Sequence, residues 1–230
     1  MIGMGLAALL TFLPGFPGNG GMLSYQEMQA LKLRLADMIV EVESRRAPLP
    51  GESANFIMPD VGQGVCLKLN DGEEYIVVSE FLATESAAVA MRSRSNPKWV
   101  PLERKMRVPK LGLVLMGTAS GNLPSCSPVS LAPPYLVKAG VWAVSVDNPA
   151  TIPNIFTGLL DRFAESPLDD FFLTALGLPV SYPVFSLSGE LLAFNIRRYT
   201  PDSKMYLSAT ATQIRKALLS RHSPRKPVRQ

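Results

Sequence analysis

The residues of this chain that could do chemistry are its serines, its lysines, a pair of aspartates, two cysteines and one histidine. The histidine, His222, lies in a basic tail with Arg221, Arg225, Lys226 and Arg229. Nucleophilic catalysis by serine or cysteine needs a base within hydrogen-bond reach, oriented by a third group. A zinc centre draws on several histidine and cysteine ligands. One tail histidine, with Cys66 and Cys126 far apart in sequence, fits neither requirement, so we expect no metal and no cofactor. A Ser-Lys dyad would pair Ser181 with Lys110 or Lys204, and would demand a lysine stripped of water so that its amine is neutral. Solvated lysines are the simpler reading. Asp169 and Asp170 could form a carboxylate pair, but adjacent acids after Pro167 more often mark a turn or helix cap. Two cysteines allow at most one disulfide. Cys66, in an apolar strand segment, reads as a small core hydrophobe, whereas Cys126, in a loop, is either exposed or paired.

These residues need a scaffold. Of the 230 residues 47% are apolar and 18% charged, which describes a core-forming globular chain and excludes a disordered one. Twenty prolines and 17 glycines favour many short strands joined by turns. Ser24 and Glu27 have the spacing of a capping box, and Met28, Leu31 and Leu35 follow at helical intervals. Met38 to Glu43 then alternates apolar and charged residues like a half-buried strand. Gly62–Leu69 and Tyr75–Val78 form a predicted hairpin around Asn70-Asp71-Gly72. Shorter strands are expected at Ala87–Met91 and Trp99–Leu102, and a fully buried one at Leu111–Met116. Gly117 to Pro134, interrupted by four prolines, divides the chain into halves. The second half offers strands at Gly140–Val146, Ile155–Leu160 and Phe171–Ala175, a hairpin from Pro183 to Ile196, and a closing strand at Met205–Ser208. A cap-like Thr210 and Gln213 open a final helix to Leu219. The pattern alone predicts an all-β barrel or sandwich.

The two ends differ from the body. Residues 1–21 carry Leu6, Leu9, Leu10, Phe12, Leu13 and Phe16. This apolar run is shorter than the ~20 residues that span a bilayer. It resembles the hydrophobic part of an export signal but lacks the basic start of one. It reads either as a cleaved signal or as an attachment to a partner. Six of the 23 Lys and Arg fall after Ala209, leaving 17 against 19 acids in the body. The basic character therefore belongs to the tail, which is read first as a solvated terminus.

Residues Pro183 to Ile196, P-V-F-S-L-S-G-E-L-L-A-F-N-I, resemble the hairpin that follows the nucleophile loop in trypsin-like serine proteases of the HtrA/DegP type. Other segments are similar to that family in the same order. Gly62-Gln63-Gly64-Val65 resembles its G-S-G-F, and Tyr75 to Leu82 its Y-I-V-T-N-A-H-V. Val108 to Leu115 is similar to the segment around D-L-A-L-L, Ser145 to Pro149 to A-I-G-N-P, and Ile155 to Leu159 to V-T-x-G-I. The resemblance implies an all-β, trypsin-like double β-barrel with a short N-terminal and a C-terminal helix. It places the domain at 22–222, with the first barrel at about 38–118, the second at about 135–208, the helix at 210–219, and a basic tail at 223–230. It also puts Phe81, Lys110 and Val180 where the family has histidine, aspartate and serine, and Ser181 and Tyr182 where two glycines follow the nucleophile. The implied protein is a pseudoprotease without a PDZ module. It would act as a structural or protein-binding subunit of a larger complex in the periplasm or cell envelope, with the cytoplasm as the alternative. Other proteins are the expected partners, with a membrane surface reached through the N-terminal segment; nucleic acid is disfavoured. The competing functions are a divergent serine hydrolase and an adaptor tethered by its basic tail to acidic lipid or nucleic acid.

Overall fold

Helix α1 (Tyr25–Ala36) opens the fold in the computed structural model. The structure describes residues 23–53, 57–69, 72–121, 123, 126–138, 140–163, 172–174, 180–198, 200, 202 and 206–219. Outside them lie Met1–Met22, with Leu6, Leu9, Leu10, Phe12, Leu13 and Phe16, and also Asn70, Asp71, Asp169, Asp170, Pro179, Lys204 and His222. The capping box forms as the spacing predicts. Ser24 N donates to Glu27 Oε2 at 2.8 Å and Glu27 N to Ser24 Oγ at 3.3 Å, satisfying donors that a helix start leaves free.

Six strands follow: β1 (Ile39–Arg45), β2 (Asp60–Lys68), β3 (Glu74–Ser79), β4 (Ala88–Arg92), β5 (Val100–Val108) and β6 (Leu113–Gly117). They pair in the order β1-β2-β3-β6-β5-β4 and close where β1 meets β4. Six more repeat the plan: β7 (Trp142–Asp147), β8 (Asn154–Phe163), β9 (Phe172–Thr174), β10 (Pro183–Ser186), β11 (Leu191–Arg198) and β12 (Tyr206–Thr210). Their order is β7-β8-β9-β12-β11-β10, and β10 closes on β7. Helix α2 (Ala211–Leu219) ends the described chain. Gln213 N donates to Thr210 Oγ1 at 3.2 Å and Thr210 N to Gln213 Oε1 at 2.8 Å, so its start is capped reciprocally.

Three apolar clusters account for the architecture. Val40, Val42, Ile76, Met91 and Val114 fill the first barrel, and Ala143, Leu160, Val184 and Leu192 belong to the second. The largest lies between them, where Leu35 of α1, Val65, Leu115, Phe185, Phe194 and Ile214 of α2 belong to one cluster. Both helices therefore seal the seam between the barrels.

Several strand expectations change. In β1 the residues Ile39, Val40, Glu41 and Val42 are all buried, so the strand is not half-buried. Val40 and Val42 face the first barrel while Ile39 joins the inter-barrel core, and Glu41 is buried beside an arginine. Strand β5 runs to Val108, well past Leu102. Its charged run L-E-R-K-M-R-V hides an alternation of exposed and more buried residues, and its pairing with β6 shifts register between Arg104 and Met106. Leu111 belongs to a 3-10 turn (Pro109–Leu111) that ends on Gly112 at φ 61°, and β6 starts only at Leu113. Strand β8 extends to Phe163.

Cys66 is not a free core thiol: it is bonded to Cys126, with 6.2 Å between the Cα atoms. The crossing between the barrels folds back over β2 to make this contact. Val129 N donates to Cys66 O at 2.7 Å and Ser127 N to Asp37 O at 2.8 Å. Among the described residues no helix is long and apolar enough to cross a membrane.

Candidate functional site

Three segments of the resemblance meet at the seam. The turn after β3 carries Phe81, the 3-10 turn after β5 carries Lys110, and the turn before β10 carries Val180. Glu80 N donates to Gly112 O at 2.8 Å, joining the first two, and Ser79 N donates to Ser181 Oγ at 3.3 Å, joining the first and third. The side chains are of other kinds than an acid–base relay needs. Phe81 is 56% exposed, Lys110 is exposed on its turn, and Val180 is half-buried.

Ser181 is the residue on which the segments converge. It is fully buried, and its hydroxyl donates to Gln63 O at 2.8 Å while accepting from Ser79 N. Its backbone N donates to Asn195 O at 2.8 Å, and its carbonyl accepts from Gln63 N at 2.9 Å. Every polar group of Ser181 thus holds β2, the end of β3 or β11. Lys110 is not among its partners, so the structure does not bring the Ser181–Lys110 dyad together. Ser181 also adopts φ 67°, a left-handed conformation open to glycine but costly for other residues. Gly62 makes the close approach feasible, since a Cβ there would lie 2.7 Å from Leu82 Cδ1 and 3.0 Å from Ser181 Cβ.

Two substitutions separate the strain at this residue from its bonds. Ser181→Ala keeps the left-handed strain and leaves Gln63 O and Ser79 N without their partner. Ser181→Gly loses the same bonds but relieves the strain. We expect both variants to be less stable than wild type, with the glycine variant about 1 kcal/mol above the alanine variant, as read from urea unfolding. The reverse order would show that residue 181 is not left-handed.

Around Ser181 the seam is laced with further polar contacts that sequence reading missed. Gln63 Nε2 donates to Val146 O at 2.7 Å across the barrels. Ser79 Oγ donates to Ile196 O at 3.2 Å and accepts from Phe81 N at 3.1 Å. Arg92 pairs with the buried Glu41 at 2.6 Å and stacks on Trp99, 4.9 Å from the ring centroid. Nothing in β1, whose sequence I-V-E-V-E-S-R carries two glutamates, marks Glu41 in advance as the buried one.

The Tyr182 hydroxyl donates to Asp147 Oδ1 at 2.8 Å. Burial raises its phenol well above the ordinary range, and the Asp147 bond and charge, then the Glu41 charge, push it further the same way. An unfolded tyrosine ionises near ~10. The folded protein therefore holds a proton that the unfolded chain releases. The resulting stability is complete below about pH 10 and is lost as pH rises towards the folded value. We expect native wild type and Tyr182→Phe to give superimposable tyrosinate absorbance up to about pH 12, and to differ by one phenol only once unfolded. A one-phenol difference in the native titrations would place Tyr182 in water.

Among the described residues no group of histidine, cysteine, aspartate or glutamate could hold a metal ion. No protein-family model matches the chain, and no curated protein matches it. It is similar to a solved HtrA-type protease, AlgW in a serine-to-alanine form with a tripeptide, at a TM-score of 0.65 and 12% identity. The match covers 86% of this chain and 63% of that one, so the chain spans less than two thirds of the structure it matches. The likeness defines the fold class: a trypsin-like double barrel with an N-terminal and a C-terminal helix.

Proposed function

We propose that the chain is a non-catalytic trypsin-like domain that serves as a structural, protein-binding subunit of a larger assembly in the cell envelope. The observation that carries this reading is the commitment of the Ser181 hydroxyl. A serine nucleophile must pass its proton to a base. This one is buried and gives its proton to the Gln63 carbonyl, which cannot act as that base, while accepting from a backbone N–H. Phe81, Lys110 and Val180, in the places of histidine, aspartate and serine, support the same reading. The Cys66–Cys126 bond favours an oxidising compartment over the cytoplasm. The apolar residues of 1–21 provide the attachment to the assembly, since exposed apolar stretches of this size are costly in water.

The test is activity-based labelling of the whole chain. We expect no reaction with a fluorophosphonate probe and no hydrolysis of casein or peptide substrates. Restoring His, Asp and Ser at Phe81, Lys110 and Val180 should not revive activity, because Pro179 before the rebuilt serine and Tyr182 two positions after it remove the backbone freedom an oxyanion loop needs. Stoichiometric labelling of wild type that disappears in Ser181→Ala would overturn the proposal.

A further inference from the structure

We propose that the Cys66–Cys126 bond is made while the chain is still open, by exchange with an external disulfide, and is inert once the first barrel has closed. Cys66 is 2% exposed, on β2, in the apolar cluster that also holds Val40, Ile76 and Met116. Cys126 lies on the crossing between the barrels and is only half-buried. Of the two residues, Cys126 is therefore the more open to a thiolate arriving from solvent. Attack there expels Cys66 as a thiolate into apolar surroundings. Burial of that kind raises a thiol's pKa, and a thiol of high pKa is a poor leaving group.

The same asymmetry governs bond formation. In a closed, reduced protein an external disulfide would form a mixed disulfide first with the less buried Cys126. The second step then needs Cys66 as an attacking thiolate, the form its surroundings disfavour. In the open chain both thiols are solvated and neither step is hindered. In balance, Cys66 and Cys126 each lose one hydrogen and together two electrons. The external disulfide is split into two thiols, which take up both. The partner implied is a disulfide donor acting on the unfolded chain, whether a small oxidised thiol or a thiol-disulfide oxidoreductase. The inference stands whether or not the seam is catalytic.

The experiment compares exchange rates in folded and unfolded full-length protein, with thiols alkylated and counted by intact mass. Native oxidised protein treated with dithiothreitol should lose the bond at least about tenfold more slowly than protein in concentrated urea. Reduced, refolded protein treated with oxidised glutathione should form the bond more slowly than the reduced chain in urea, by a similar factor. Where the reduced chain does not refold, the reduction experiment decides alone. Equal rates in the folded and unfolded states would overturn the proposal. So would protein isolated from its native source with both thiols alkylatable.

Discussion

Phe194→Ala is expected to lower the unfolding free energy by about 3–5 kcal/mol, the largest effect of any single truncation considered for this chain. Phe194 is fully buried on β11 and belongs to the cluster shared by both barrels and both helices. Two features keep the site from collapsing around the lost ring. Strand β11 is held on both sides, with Phe194 paired to Pro183 of β10 and to Ala209 of β12. The opposite wall is built from helices and from the other barrel, each fixed by its own pairing. For a domain of this size the loss corresponds to a fall in melting temperature of roughly 6–20 °C. Leu33→Ala, on the outward face of α1 and 42% exposed, serves as a control expected to stay within about 0.5 kcal/mol. A loss below about 1 kcal/mol for Phe194→Ala would mean that the barrels do not share this core.

Cys126→Ala should cost nearly as much through a different mechanism. The bond joins residues 60 apart in sequence, and a closed loop of that length restricts the unfolded chain by about 4 kcal/mol on the chain-entropy account. Cys66 would remain as a small apolar side chain in the first barrel, so little packing is lost. Urea unfolding with and without reductant checks this. The wild-type midpoint should fall to that of Cys126→Ala when the bond is reduced before unfolding, and the variant should not respond to reductant. Equal midpoints for oxidised wild type and the variant would show that the two cysteines are not joined.

Local features of the fold were legible in the sequence because they depend on short spacings. The Ser24–Glu27 box and the Thr210–Gln213 cap each need only a pair of residues three positions apart, and both form. The double-barrel class was legible through the order of matching segments. What could not be read depends on contacts between distant residues. The length of β5 was hidden because charged side chains can point outward from a strand whose other face is buried. The Glu41–Arg92 pair joins residues 51 apart, and nothing in either segment names the other. The Cys66–Cys126 bond needed the crossing to fold back over β2, which proline content alone does not indicate. At Ser181 the residue type suggests reactivity, but nothing in the sequence indicates its left-handed φ or the four hydrogen bonds by which it joins the barrels.

The closure of both barrels also limits how this protein can meet a partner. In each ring the first and last strands of the order are paired to one another, so neither sheet ends in a terminal strand, although stretches such as Asn154–Leu159 of β8 are paired on one side only. An extended segment of another protein finds no terminal strand to continue, and backbone pairing, a common way for β-proteins to recruit peptides, is confined to these one-sided stretches. The same closure protects the chain from edge-to-edge aggregation. Away from those stretches recognition runs through side chains and loops, and the exposed apolar residues Phe81, Val61 and Met58 are available for it. A partner that reads side chains should be sensitive to point substitutions at such positions, and indifferent to which backbone groups of the strands are free.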